Sequence, residues 1–349
     1  MTGTAKLDDV SDERAVQPAS RSPETGPTGR SEHVRLRAGA IGASVAVFAV
    51  WGALIVIYGT SEPAVFLTRG TFRTIFGSQQ ALVFLSAALL CTVCVGEFVD
   101  LSVASIFGMS ATMVAVLSGQ HGWGVWPASL VAVLAAVACG AVNGLLAVYV
   151  GVNTIVVTLG MGTLLLGLSL WMSNLQPVSG LPGGFSDIAL HPFLGLPAGF
   201  WEGLALMIVF AYVLHLTPLG LHMRFVGDNR EVSRLSGVRV NRLRFGAFVV
   251  AGLVCGIGGV LSAAATGGFD PNVSQSYLLP TFAATFLGTA VLFPGRFNPL
   301  GSLVAIYFLA TGILGLQLLG VPAWVSSVFY GGVLVVAVTI STVLHRRTN

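Results

Sequence analysis

The chain has 349 residues, of which 54% are hydrophobic and only 9% are charged, and 44 are glycines. This composition is too apolar for a water-soluble protein of this length and is typical of a polytopic helical membrane protein. The net charge of +3 is small, and the basic residues gather in loops between apolar runs. This distribution argues against nucleic-acid binding.

The first 37 residues are rich in Ser, Thr, Pro and Gly and have almost no large apolar side chains. Such a segment cannot bury enough surface to fold alone, so residues 1–37 are predicted to be a disordered cytoplasmic tail. The first apolar run begins near Ala38 and is long enough for a full membrane span. We therefore expect it to remain as an anchor and not to be cleaved as a signal peptide.

Apolar runs of roughly membrane length recur through residues 38–344, which we predict to be one transmembrane domain of about ten helices in an all-α, multi-pass protein. The predicted spans are Ala38–Tyr58, Gln79–Val95, Leu101–Leu117, Trp126–Val150, Thr154–Trp171, Leu204–Leu216, Phe245–Ala265, Leu279–Phe293, Leu300–Leu319 and Trp324–Leu344. Residues 345–349 would form a short cytoplasmic tail.

The arginines fix the predicted orientation, because cytoplasmic loops carry an excess of positive charge. With ten crossings and a cytoplasmic amino terminus, residues 217–245, Arg296 and the carboxyl terminus all lie in the cytoplasm. Only Arg69 and Arg73 then face outward. Both termini are therefore predicted to be cytoplasmic.

Two carboxylates, Glu97 and Asp100, fall between the second and third predicted spans. At membrane depth they would need to face a cavity or a partner. Alternatively, they mark a short cytoplasmic turn in which Asp100 caps the helix from Leu101. The crossing parity favours the turn.

Uncharged hydrogen-bonding side chains follow the fourth and fifth spans and the loop beyond. Such groups suit a neutral, polyhydroxylated solute, which needs donors and acceptors but no counter-charge. Each could equally form an interhelical hydrogen bond. The candidate substrate-path residues are Asn143, Asn153, Thr158, Thr163, Asn174 and Gln176.

Two predicted external loops, Ser173–Phe200 and Gly267–Tyr277, could receive a partner, form a gate or simply connect helices. Within the spans, Gly140-x-x-x-Gly144 and Gly252-x-x-x-Gly256 are small-residue pairs that allow helices to approach closely. They predict a tightly packed bundle.

The stretch Thr217–Phe245 is the most polar part of the predicted transmembrane domain and holds six arginines. Asp228 and Glu231 have the spacing of a capping box, and Gly237 offers a left-handed stop, so a short helix is predicted over Asn229–Ser236. It is too short and too charged to cross a bilayer. It is either a docking element for a cytoplasmic partner or an interfacial helix on anionic lipid. The candidate docking residues are Asp228, Arg230, Glu231, Val232, Arg234, Leu235 and Gly237.

The sequence carries no pattern of an enzyme. Lys6 is the only lysine, which excludes a phosphate-binding loop of the G-x-x-x-x-G-K type in this chain. The histidines show no metal-ligand spacing, and Cys91 and Cys94, although spaced as C-x-x-C, lie in an apolar span where small packing residues are expected. We therefore predict no catalytic site, no metal and no cofactor in this chain.

Four stretches resemble permease subunits of bacterial ATP-binding-cassette importers of the ribose, xylose and arabinose type. They lie in the same order as in that family, between about Ala38 and Ser341. The stretches are VDLSVASIFGMSA (99–111), GAVNGLLAVYVGVNTIVVTLGMGTL (140–164), TPLGLHMRFVGDNREVSRLSGVRVNRLRFGAFVVAGL (217–253) and PGRFNPLGS (294–302).

The resemblance implies a multi-pass permease of the cytoplasmic (inner) membrane that imports a monosaccharide or similar neutral polyol. Its implied partners are cytoplasmic P-loop ATPase subunits that bind ATP, an extracytoplasmic solute-binding protein and a second permease copy or paralogue. The helix at Asp228–Gly237 would dock the ATPase. Many relatives have glycines where this chain has Glu97, Phe98 and Ala104, and a GGRGS run where it has PGRFNP.

Other functions stay open from the residues alone. A similar permease could import a branched-chain amino acid or a signalling furanose, although a zwitterion needs fixed charges or helix ends at its site and the spans offer few. A stand-alone channel or scaffold without an ATPase is a further alternative.

Overall fold

The computed structural model of the chain describes residues 28–293 and 295–348. It is an all-α bundle, as predicted, with two very small β-pairings. The α-helices are α1 (Thr28–Ser61), α2 (Pro63–Phe66), α3 (Arg69–Gly77), α4 (Gln80–Val93), α5 (Val103–Val114), α6 (Val125–Gly144), α7 (Thr154–Met172), α8 (Gly183–Leu190), α9 (Ala198–Leu216), α10 (Pro218–Asp228), α11 (Arg230–Leu235), α12 (Val240–Thr266), α13 (Leu278–Leu287), α14 (Pro299–Leu318) and α15 (Trp324–Thr348).

Four short helical segments of other geometry extend these helices. The π-helical segments Ala115–Gln120 and Leu145–Val150 continue α5 and α6, and the 3₁₀ helices Pro271–Tyr277 and Gly288–Ala290 flank α13. The strands are β1 (Val178–Ser179), β2 (Pro192–Phe193), β3 (Leu196–Pro197) and β4 (Gly268–Phe269). β1 pairs antiparallel with β4, and β2 pairs antiparallel with β3.

Eight helical stretches in the described part of the chain are long and apolar enough to cross a membrane. They correspond to eight of the ten predicted spans. They are Ser44–Ser61, Arg69–Val93, Val103–Gln120, Val125–Val150, Thr154–Met172, Ala198–Leu216, Val240–Thr266 and Pro299–Leu318. A further apolar helix, Trp324–Thr339, corresponds to the predicted tenth span.

The predicted eighth span, Leu279–Phe293, is wrong in its bounds, because its helix ends at Ala290. The α-helical part, α13, has only 10 residues. With its 3₁₀ flanks, however, the helical path over residues 271–290 extends about 35 Å, at 1.5 Å per α-helical and about 2.0 Å per 3₁₀ residue. This is a contour length, because the rings of Phe269 and Tyr277 both contact Phe107 and the segment is therefore not one straight rod.

The bundle has two ends, which we name by their main features. At the ribbon end, β1 and β4 join the loops that follow α7 and α12, with Val178 opposite Phe269. At the arginine end lie α10, α11 and the turn between α4 and α5. The segment 271–290 runs from the ribbon end toward the arginine end, where Phe286 and Phe297 line one cavity together with Arg224 and Asp228.

Helix α1 runs antiparallel to segment 271–290, so Ser44 lies toward the arginine end and Tyr58 toward the ribbon end. The Ser44 hydroxyl donates to the carbonyl of Ala290, and the Tyr58 hydroxyl donates to the carbonyl of Gly312 in α14. The predicted tail 1–37 lies outside the described residues as far as residue 27, and α1 begins at Thr28. The predicted tail 345–349 is helical in α15 as far as Thr348.

Helix α12 lies at the centre of the bundle, in contact with α4, α5 and α6. Its glycines permit this packing, because a Cβ added to Gly252 would lie 2.6 Å from the carbonyl oxygen of Ala136. Gly140 on α6 faces Gly252 directly, and a Cβ there would collide with the carbonyl oxygen of Phe248. The predicted close packing through these two glycine motifs is confirmed.

Candidate functional site

The short helix α11 lies at the arginine end, within one residue of its predicted bounds at each terminus. Its N-cap is Asn229, not Asp228 as predicted. Asp228 is the last residue of α10, whereas Asn229 has the extended backbone of a cap, and its Oδ1 accepts from the amides of Glu231 (3.0 Å) and Val232 (3.1 Å). The helix ends as predicted, with Gly237 at a φ of +82°.

The two apolar candidates on α11 point away from the bundle. Val232 is 57% exposed and Leu235 is 88% exposed, while Ser233 between them is buried. Asp228, Glu231 and Arg234 are exposed as well. α11 therefore presents two apolar side chains within a charged surface, an arrangement that a partner protein could cover.

A buried carboxylate holds α11 to the rest of the molecule. Glu97 Oε1 lies 2.8 Å from Arg230 Nη2 and 2.5 Å from Arg244 Nη2, and Arg244 Nε also donates to it at 2.6 Å. The other oxygen, Oε2, accepts from the Thr154 hydroxyl at 2.5 Å. The Glu97 side chain is only 5% exposed. We call Glu97, Thr154, Arg230 and Arg244 the Glu97 cluster.

The turn that carries Glu97 is fixed by further polar contacts. Arg230 Nη2 also donates to the carbonyl of Gly96 at 2.7 Å, and the Leu101 amide donates to the Thr158 hydroxyl at 3.1 Å. Glu97 and Asp100 therefore lie in the turn between α4 and α5, as the parity argument favoured.

Contrary to the turn alternative, Asp100 does not cap a helix from Leu101, because α5 begins at Val103 and its N-cap is Ser102. Asp100 Oδ1 accepts from the amide (3.0 Å) and hydroxyl (2.6 Å) of Ser102, and Asn143 Nδ2 donates to that hydroxyl at 2.8 Å. Asp100 is buried, and this burial raises the pKa of its carboxyl group; the Ser102 hydrogen bonds oppose the shift and the Glu97 charge adds to it.

The predicted substrate-path residues do not converge within the chain. Asn143 and Thr158 bind the turn that carries Glu97, and Asn153 caps α7 by accepting from the Ile155 amide. Thr163 is exposed and bonds to carbonyls of its own helix. The remaining two, Asn174 and Gln176, are exposed in the loop that leads to the ribbon end. A shared path for all six stays a prediction.

The role of Glu97 as the common partner of Arg230 and Arg244 was not predicted. The sequence did contain a signal, because the stretch Thr217–Phe245 has six arginines but only two acids, Asp228 and Glu231. The number of predicted crossings places Glu97 and the stretch Thr217–Phe245 on the same, cytoplasmic side of the membrane. A buried arginine needs a counter-charge, so the pairing could have been proposed.

A cavity of about 510 Å³ opens beside the Glu97 turn at the arginine end. Arg224 and Arg296 contribute positive charge to its wall. Aromatic side chains line much of the rest, with the rings of Phe98 and Phe297 6.3 Å apart. The surface around α11 thus combines cationic and apolar groups.

Comparison with known proteins identifies the family of the chain. Residues 72–338 match the family described as branched-chain amino acid transport system / permease component, and the chain belongs to that family. It is 31% identical over 265 residues to the autoinducer 2 import system permease protein of Salmonella typhi, with 74% of this chain and 80% of that protein covered. The protein of the same name from Escherichia coli O9:H4 is 32% identical with the same coverage. No solved structure is a significant match.

The chain is therefore a permease component of an ATP-driven importer, in a multi-pass arrangement in the inner membrane. ATP hydrolysis in such importers takes place on a separate subunit, so this chain is not itself an enzyme. The family implies two kinds of partner, an ATPase and a solute-binding protein. The predicted permease identity is confirmed.

Proposed function

We propose that this permease imports a monosaccharide or similar small neutral polyol, with a furanose such as autoinducer 2 as the first candidate. A P-loop ATPase docked on α11 drives the import, while the loops at the ribbon end receive the solute-binding protein. A second permease copy or paralogue completes the membrane unit. The bilayer is the remaining partner, and nucleic acid plays no part.

The observation that carries the docking proposal is the exposure of Leu235. Leu235 is 88% exposed, and burying a leucine that water would otherwise contact contributes about 1.5–3 kcal/mol of transfer free energy. The Glu97 cluster anchors α11 on its opposite side through Arg230. A short helix held rigidly from behind, with apolar side chains in front, suits insertion into a groove of a partner.

A neutral solute is supported by the distribution of charge in the membrane. In the eight long apolar stretches of the described chain, the charged residues all lie within five positions of the start of a stretch: Arg69, Arg73, Glu202, Arg242 and Arg244. A zwitterionic solute would require counter-charges or helix ends near the middle. The names of the compared permeases point to autoinducer 2, a furanose.

A branched-chain amino acid is the second candidate, because the family description names that substrate class. The two candidates differ in charge, so a direct comparison separates them. Ribose, autoinducer 2 and leucine can each be offered to the purified complex with its solute-binding protein in liposomes. ATP-dependent uptake of leucine, without uptake of the two neutral solutes, would replace the first candidate by the second.

Docking is tested by Leu235→Asp. We expect the variant to reach the membrane at normal levels but to lose co-purification of the ATPase by tenfold or more, since burying an unpaired carboxylate costs at least about 1.4 kcal/mol. Quantitative mass spectrometry of the tagged chain in mild detergent measures the loss. Leu194→Asp is the matched control, because Leu194 is 76% exposed near the other end of the molecule. Equal ATPase recovery from both variants contradicts docking on α11.

A further inference from the structure

The Glu97 cluster joins four separate parts of the chain. Glu97 lies in the turn after α4, Thr154 is the first residue of α7, Arg230 is the first residue of α11, and Arg244 lies in the first turns of α12. Cys94 and Val95 of the turn also pack against Val226 of α10 and Val240 of α12. The Glu97 carboxylate adds a polar contact that joins the turn directly to α11, α7 and α12.

Arg230 is the polar connection between α11 and the spans. Among the described residues, no other α11 side chain forms a hydrogen bond or ion pair beyond Asn229, because Ser233 bonds only to the Asn229 carbonyl and Glu231 and Arg234 have no such partner. Apart from the short backbone links to α10 and α12, the Arg230 guanidinium is therefore the side-chain route by which a movement of α11 can reach the polar groups at the span ends.

The burial of Glu97 protects this connection from water. Water cannot replace a donor around a carboxylate that is 5% exposed, and charges interact more strongly where water is excluded. The two carboxylate oxygens have different partners: Oε1 contacts both arginines, and Oε2 accepts from the Thr154 hydroxyl. Any displacement of Arg230 that turns the carboxylate must also move or break the bond to the start of α7.

We propose that Glu97 is a positioning residue that transmits movement of the docked helix α11 to the amino-terminal end of α7. This inference rests on the proposed function, because it requires an ATPase bound to α11. It adds a specific carboxylate through which ATP-driven movement reaches the membrane-spanning part. Glu97 itself contacts neither ATP nor solute.

The test compares hydrogen exchange at the amides of residues 155–158 in the purified permease–ATPase complex, with and without ATP plus vanadate. In the wild type we expect the nucleotide to change the exchange rate at these amides. In Arg230→Gln and Glu97→Gln this response should fall about 2-fold to 30-fold, the range typical of residues that carry coupling between sites. Because Arg230 is itself a candidate docking residue, ATPase recovery is measured for each variant and the exchange responses are compared at equal ATPase occupancy.

Controls separate transmission from a general loss of structure. Glu62→Gln removes an exposed carboxylate that makes no side-chain cap bond at the start of α2, and it should respond like the wild type. Glu97→Asp keeps the charge and should restore part of the response. The double variant Glu97→Gln with Arg230→Gln should lose no more than the stronger single variant, because both changes break one connection.

Three results decide the matter. The same nucleotide response in Arg230→Gln as in the wild type, or no response in the wild-type complex, overturns the inference while leaving the proposed function intact. Absence of an ATPase from the wild-type preparation contradicts the proposed function and the inference with it. If Glu97→Gln does not accumulate, Arg230→Gln decides alone, because the Arg230 side chain is 41% exposed and Arg244 still pairs with Glu97.

Discussion

Two carboxylates three residues apart have very different surroundings at the arginine end. Glu97 faces two guanidinium groups, whereas Asp100 is buried against the Ser102 hydroxyl and amide without a basic partner. A buried carboxylate without a counter-charge is costly to ionise. Asp100 should therefore be a source of pH-dependent stability, and this effect is independent of docking.

The pH dependence follows from the direction of the shift. Burial raises the pKa of Asp100 above its ordinary value of 3.8, so its favourable contribution is complete below that value and is lost as the pH rises through the raised pKa. Asp100→Asn keeps an oxygen to accept from Ser102 and cannot ionise. The Tm of Asp100→Asn minus the Tm of the wild type, measured in detergent-solubilised protein, should increase as the pH is raised above 4. A constant difference between pH 4 and 8 would contradict this prediction.

At the scale of helices, the glycines of α12 test how tightly the bundle is packed. Gly252 faces the α6 backbone, whereas a Cβ on Gly246 of the same helix would meet nothing within 4 Å. Gly252→Ala should destabilise the protein by about 1–3 kcal/mol through overpacking. Gly246→Ala should be neutral or stabilising by up to about 1 kcal/mol, because alanine favours a helix. Thermal unfolding in detergent distinguishes the two, and equal shifts would show that Gly252 is not at a close contact.

The elements that sequence could predict are those with a strong local signal. Eight apolar runs were long enough to be recognised as spans, and Gly237 ended α11 as expected. The boundary between α10 and α11 was misplaced because Asp228 and Asn229 are both good caps, and only the backbone at Asn229 decides between them. The 3₁₀ turns around α13 have no apolar period that would mark their ends.

The functional site was predictable only in part, because its contacts join distant residues. The exposed side of α11 follows from local spacing, but the bonds from Glu97 to Arg230 and Arg244 bridge 133 and 147 positions. Asn143 and Thr158 were proposed for a solute path from their polarity alone. Their contacts with the turn after α4 depend on helix packing, which no local pattern encodes.

For the whole molecule, the two ends should face opposite sides of the membrane. The described native cysteines are buried or half-buried, so single cysteines introduced at exposed sites report their own accessibility. Leu194→Cys should react with a membrane-impermeant maleimide in intact cells. Leu235→Cys should react only in inside-out vesicles. Labelling of both from the same side would contradict the predicted ten-crossing topology.

The ties at both ends of the bundle limit how its helices can move. Thr154 of α7 and Arg244 of α12 share Glu97 at one end, while β1 and β4, which follow these helices, pair at the other. Helix α5 contacts both α7 and α12. Links at both ends, together with α5 in contact with both helices, favour movement of α5, α7 and α12 as one unit over separation of α7 from α12. Transport in this permease should therefore proceed by shear of a three-helix unit and not by opening of a hinge within it.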